Sequence, residues 1–117
     1  MFERVAPVIS VRDLDAALER YRRLGFRVRE YDGDARYGFA NRDGVELHLS
    51  ESADASEAVV YLFVEDAAAV FAEWTAAGLG GLVPPVDTPW GRHEFAYRDP
   101  DGTVLRVGSA ARGQGER

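Results

Sequence analysis

The 117-residue sequence contains no cysteine and no lysine, and a single methionine. The missing thiols exclude disulfides, thiolate metal sites and a cysteine nucleophile. All 14 basic residues are arginine, which reflects a coding bias more than a mechanism. No apolar run is long enough for a signal peptide or a membrane span, so a soluble, cytoplasmic protein with no membrane partner is expected. An excess of basic charge is also missing. The formal net charge is -6 and the pI about 4.9, which argues against nucleic acid as a partner and is compatible with a cationic ligand. GxSxG and Gly-rich phosphate-loop motifs are absent as well. What is present is a chain 46% hydrophobic and 29% charged, enough to fold as one domain of ordinary size.

Read in order, Val5–Val11 is a β-branched run that predicts a strand, with Pro7 marking an edge or an unpaired N–H. Asp13 caps a helix from about Leu14 to Leu24; Leu14, Ala17, Leu18, Tyr21 and Leu24 share its apolar face, and Gly25 ends it. Strands follow at Phe26–Tyr31, Arg36–Arg42 and Val45–Ser50, the last two joined by Asp43-Gly44, a hairpin signal. Residues 51–58 are small and polar, a linker by composition. The pattern then restarts. Val59–Val64 is a strand, and Asp66 caps a helix that Gly78 ends. A long Gly/Pro-containing segment, 79–92, is expected to hold a short strand near Leu82-Val83. His93–Arg98 and Thr103–Val107 form a hairpin around the strong turn Asp99-Pro100-Asp101-Gly102. Residues 109–117 are Gly-rich and polar, and a frayed tail is expected there.

The restart is quantitative. Val11-x-Asp13…Gly25 and Val64-x-Asp66…Gly78 have the same spacing. At this offset of 53, Ala17, Leu18 and Tyr21 match Val70, Phe71 and Trp74. Further on, the string Phe39-Ala40-Asn41-Arg42-Asp43 matches Phe95-Ala96-Tyr97-Arg98-Asp99. The expectation is an α+β fold of two βαβββ modules, about 5–50 and 59–108. Neither could bury its apolar face alone, so the two form one domain.

Two βαβββ modules, the V-x-D-L helix entry and the closing DPDG hairpin resemble the vicinal oxygen chelate superfamily of glyoxalase I, extradiol dioxygenases, fosfomycin resistance enzymes and bleomycin resistance proteins. The resemblance runs from about Val5 to Gly108 and implies a glyoxalase/bleomycin-resistance-like fold with a concave mixed sheet. The string Pro89-Trp90-Gly91, Phe95-Ala96, Arg98-Asp99-Pro100, Gly102 looks most like the bleomycin-binding resistance proteins. In the superfamily's metalloenzymes, ligands come from the first and last strands of each module. The corresponding positions here are Ala6, His48, Val59 and Arg106, of which only His48 can bind a divalent metal. No metal and no cofactor are therefore expected, and no residue is assigned a catalytic role.

Strand alternation assigns faces. If Ala6 and Val59 point into the concavity, Val8, Ser10, Tyr61 and Phe63 do too, with Glu46 and His48 on the closing strand. Ile9, Val11, Leu47, Leu49, Leu62 and Val64 pack under the helices. Tyr31, Tyr37 and Trp90 complete an aromatic groove with acidic companions, suited to a flat heteroaromatic and a cation. The alternative is that these rings fill the hollow of the sheet or a dimer interface. Glu46 and His48 could act as a carboxylate–imidazole base or simply line a wet cavity, and Trp90 is either a binding ring or a plug at the edge of the core. The resemblance further implies a homodimer with ligand grooves shared between subunits. It places Tyr31 and Tyr37 where those relatives carry groove aromatics and matches Trp90 to their PWG tryptophan. The function expected is non-catalytic sequestration of a cationic flat-ring antibiotic, bleomycin-like, or a related metabolite. The competing readings are a metal-dependent lyase, transferase or dioxygenase, and an interaction module that uses the groove as an interface.

Overall fold

The computed structural model describes residues 1–111. They divide into two compact units, split between Glu57 and Ala58. The first contains β1 (Val8–Val11), α1 (Leu14–Arg23), β2 (Arg27–Glu30), β3 (Tyr37–Arg42) and β4 (Val45–Glu51). The second contains β5 (Val59–Phe63), α2 (Ala67–Ala76), β6 (Leu82–Asp87), β7 (Arg92–Arg98) and β8 (Val104–Ala110). Each is a βαβββ module with a mixed four-stranded sheet. The order is β1-β4-β3-β2 in one and β5-β8-β7-β6 in the other, the first strand running parallel to the last.

Both helices begin in the same way. Asp13 and Asp66 sit in extended backbone and accept from Ala16 N–H and Ala69 N–H, each at 3.1 Å. The closing strand supplies a second cap in each unit. Glu51 Oε2 accepts from Leu14 N–H and Ser109 Oγ accepts from Ala67 N–H, both at 2.9 Å. These two bonds tie each helix start to its sheet. They also correct two expectations. Glu51, placed in the linker by its polarity, is the last residue of β4, and Ser109, placed in a frayed tail, is a buried residue of β8. The remainder of that tail, 112–117, lies outside the described residues.

The face beneath each helix is the core. In the first unit Ile9, Val11, Leu14, Ala17, Tyr21, Leu24, Ala40, Leu47 and Leu49 are buried. In the second, Leu62, Leu105 and Val107 are buried as well, and aromatics join them. Trp74 lies edge-on to Phe95 and Tyr97 with centroids 5.5 and 6.0 Å apart, and Phe71 packs against Phe95 at 5.3 Å. Tyr21 and Trp74, the pair matched by the repeat, are both buried on the sheet side of their helices.

Two further expectations are revised. β1 begins at Val8, and Pro7 before it offers its carbonyl to His48 N–H at 2.9 Å. The segment 79–92 holds a six-residue strand, β6, with an irregularity between Val83 and Val86. Pro84 and Pro85 occupy that gap, where no ladder N–H is needed.

The Phe-Ala-x-Arg-Asp repeat is out of structural register by one residue. Phe39 pairs with His48 on the face away from the helix, whereas Phe95 pairs with Val107 beneath it. The residue that occupies Phe39's place in the second sheet is Ala96, beside Arg106. A one-residue slip reverses every side chain, so identical strings point to opposite faces.

Candidate functional site

On the face away from the helix, register builds two rows of side chains. In the first unit Val8, His48, Phe39 and Arg29 lie side by side across four strands. In the second, Tyr61, Arg106, Ala96 and Val83 do the same, with Phe63, Gly108 and Glu94 in the adjacent row.

The first-unit face is a connected polar chain. Arg4 Nε meets Glu46 Oε1 at 2.9 Å, Glu46 Oε2 meets His48 Nε2 at 2.6 Å, and His48 Nδ1 meets the Tyr37 hydroxyl at 2.8 Å. The imidazole lies edge-on to Tyr37 and Phe39, with centroids 5.4 and 5.0 Å away. The Arg29 guanidinium sits 4.2 Å from the Phe39 centroid. The His48 hydrogen bond holds the Glu46 carboxyl below its ordinary range against the opposing effect of desolvation, and the Arg4 charge adds to the lowering. Tyr37, Glu46 and His48, three of the sequence-derived site residues, are thus brought into direct contact. Tyr31 is not part of that cluster. It lies beyond β2, is 43% exposed, and its ring covers Gly33, where a Cβ would come within 2.2 Å of it.

In the second unit Tyr61 and Phe63 pack with ring centroids 4.7 Å apart and planes tilted by 51°, and Phe63 is 75% exposed. The Arg106 guanidinium lies 5.1 Å from the Tyr61 centroid and that of Arg92 lies 5.4 Å from Phe63. Glu94 is buried between these strands and accepts from Arg106 at 2.9 Å. Burial raises its pKa, but the Tyr61 hydroxyl and the Arg106 and Arg92 charges outweigh that and bring it below the ordinary carboxylate range. The Tyr61 hydroxyl influences this carboxylate, yet Oε2 completes no hydrogen bond of its own. Gly108 permits the arrangement: a Cβ there would lie 1.9 Å from the Tyr61 hydroxyl oxygen.

Trp90 rides the tip of the β6–β7 hairpin and is 71% exposed. Gly91 N–H bonds the Thr88 carbonyl at 3.1 Å, Arg92 N–H bonds Thr88 Oγ1 at 3.0 Å, and Gly91 takes φ 88°. Pro89 sets the turn's first dihedral and Gly91 its left-handed exit, so the indole is held out from the sheet and contributes little to the core.

Sequence reasoning missed Phe39, Arg29 and Arg92. Alternation from Tyr37 places Phe39 on the same face, and that signal could have found it. Nothing in the sequence pattern marks Arg29 or Arg92, and each lies over a ring.

The superfamily's metal chemistry does not fit these residues. The direct cross-strand neighbours of His48 and Arg106 on the first strands are Val8 and Tyr61, neither a carboxylate nor an imidazole. His48 has both ring nitrogens engaged and Arg106 is itself cationic. Among the described residues no group of three or more His, Cys, Asp or Glu is placed to hold a metal ion. No helix among them is long and apolar enough to cross a membrane.

Residues 3–107 match the family model described as Glyoxalase/Bleomycin resistance protein/Dioxygenase superfamily. The chain belongs to this superfamily. No curated protein sequence matches it. Among solved structures of the superfamily, a bleomycin resistance determinant encoded on the transposon Tn5 is 25% identical with a TM-score of 0.81, covering 93% of this chain and 98% of that one. The bleomycin-binding protein of the bleomycin producer Streptomyces verticillus, solved with copper(II)-bleomycin, is 26% identical with a TM-score of 0.73, covering 95% and 97%. A glyoxalase-related enzyme from Clostridium phytofermentans is 19% identical, with a TM-score of 0.78 and coverage of 94% and 96%, and shows the shared fold.

Proposed function

We propose that the protein is a non-catalytic binding protein of the bleomycin resistance type, a cytoplasmic homodimer that sequesters a flat-ring cationic antibiotic or a related metabolite. The observation that carries this reading is the density of aromatic side chains on the faces away from the helices: Tyr37 and Phe39 in one unit, Tyr61 and Phe63 in the other. Sheets that needed only to be solvated would carry small polar residues there. The rings here, Phe63 exposed and Tyr37, Phe39 and Tyr61 half-buried, instead offer stacking surface at low entropic cost. The similarity to bleomycin-binding proteins at about a quarter identity supports the same reading. The site residues of this proposal are Tyr31, Tyr37, Glu46, His48, Tyr61, Phe63 and Trp90, with Phe39 added. Glu46 and Glu94 already hold arginines, so a ligand's positive charge is met by the acidity of the chain as a whole more than by either carboxylate.

Titration with metal-free bleomycin is expected to quench tryptophan fluorescence saturably and near-stoichiometrically at micromolar ligand, and Trp90→Ala to abolish most of that signal. Loss of one stacking ring is expected to weaken binding by about 1–3 kcal/mol. An unchanged spectrum up to high micromolar bleomycin would remove the bleomycin-type reading. Protein purified without chelator that carried about one tightly held transition metal per chain would favour the metal-dependent enzyme instead.

A further inference from the structure

The chain Arg4–Glu46–His48–Tyr37 has only one arrangement of protons when His48 is neutral. Glu46 is ionised, its carboxyl held below the ordinary range by the His48 bond and by Arg4, so its Oε2 can only accept. At 2.6 Å from that oxygen, His48 Nε2 must carry the hydrogen. Nδ1 is then a bare lone pair. The Tyr37 hydroxyl, 2.8 Å away, must donate to it. Its only proton is thereby used inside the protein, and the oxygen lone pairs are what remain for anything bound against the ring.

We infer that Glu46, by fixing the His48 tautomer, makes Tyr37 a hydrogen-bond acceptor towards the ligand, so that this subsite selects flat rings bearing an N–H donor over isosteres that lack one. The inference rests on the reading of this face as the ligand face. Tyr37 and Phe39 supply rings 5.6 Å apart, centroid to centroid, and the Tyr37 oxygen supplies the polar handle beside them. Protonating His48 reverses the polarity. Nδ1–H then donates to the Tyr37 oxygen, and the hydroxyl proton is released towards the ligand. The charged groups on this face are Arg4 and Glu46 of the chain itself, Arg29 beside Phe39, and Arg27, which stands next to Asn41 in the row of Glu46. Val8 on the β1 side carries no charge.

The test uses two probes of one shape, indole with its N–H and benzofuran with an oxygen in that place, and reads the ¹⁵N-labelled protein by NMR. At pH 8 the His48 spectrum is expected to show Nε2 protonated and Nδ1 not, and indole to bind about fivefold more tightly than benzofuran, judged by shifts of the Tyr37 and Phe39 resonances. Lowering the pH until the His48 resonances report protonation is expected to bring the ratio towards one. Tyr37→Phe should also erase the preference, with the melting temperature showing that the variant folds. The opposite tautomer, equal binding of the two probes at pH 8, or a preference that persists in Tyr37→Phe would each overturn the inference. Failure of bleomycin to bind while indole is still preferred would reject the antibiotic and leave the acceptor subsite standing.

Discussion

The two units share a frame and use it differently. In the first, aromatics sit on the face away from the helix (Tyr37, Phe39) and the strand beneath the helix contributes Ala40 and Gly38. In the second, the equivalent strand turns its aromatics inward, Phe95 and Tyr97 packing on Trp74, and the outward rings come from the first strand, Tyr61 and Phe63. The closing hairpin shows how near-identical strings came to face opposite ways. Arg42 pairs directly with Val45 across the two-residue turn Asp43-Gly44, both at positive φ. Arg98 pairs with Val104 across the five residues 99–103. There Asp99 Oδ1 accepts from Asp101 N–H at 2.9 Å and Thr103 N–H at 3.0 Å. Which face a ring reaches depends on where pairing starts, and the turn sets that. The outward faces differ in chemistry too. One holds an imidazole–phenol–carboxylate chain, and the other a carboxylate between two arginines laid over rings.

The largest expected effect separates the two tryptophans. Trp74→Ala removes the ring at the centre of the second unit's aromatic core and is expected to cost about 3–5 kcal/mol in urea or thermal unfolding. A loss below about 1 kcal/mol would mean the second core is not built around it. Next come the turns. Asp99→Ala deletes the acceptor for two backbone N–H groups in a buried turn and is expected to cost about 1–3 kcal/mol. Asp43→Val places a β-branched residue at φ 51° and is expected to cost about 1–2 kcal/mol. If Asp43→Val proved much more damaging than Asp99→Ala, the contrast drawn between the two turns would be wrong.

Acid acts on both outward faces. Glu46 and Glu94 have folded pKa values below those of the unfolded chain, so in the carboxylate range the unfolded state binds more protons. Stability is therefore full above about pH 4.5, the ordinary glutamate value, and falls as pH drops through the lowered folded values. Glu94→Gln should flatten that part of the curve; an unaltered acid limb would show that the carboxylate is not coupled to Arg106 and Arg92. The smallest expected change in stability belongs to Trp90→Ala, within about 0.5 kcal/mol, since the indole is exposed on a hairpin tip. A fall in melting temperature of well over about 10 °C would assign Trp90 to the core and withdraw it from the binding site.

Much of this architecture is determined by the sequence alone. Asp caps, Gly exits at Gly25 and Gly78, helical spacing of Leu14, Ala17 and Tyr21, and turn dipeptides are local signals. The backbone obeys them wherever they stand, so the two βαβββ modules and the family resemblance were readable residue by residue. The alternation that put Glu46 and His48 on one face is equally local. Only the tertiary structure decided the pairing across strands. Pairing made the Phe-Ala-x-Arg-Asp match a slip, set Phe39 beside His48, carried Ser109 to the start of α2 and laid Arg29, Arg92 and Arg106 over rings. These facts depend on which residues stand opposite one another at long sequence separation. That is set by turn length and by the packing of whole strands, neither of which any short stretch of sequence contains.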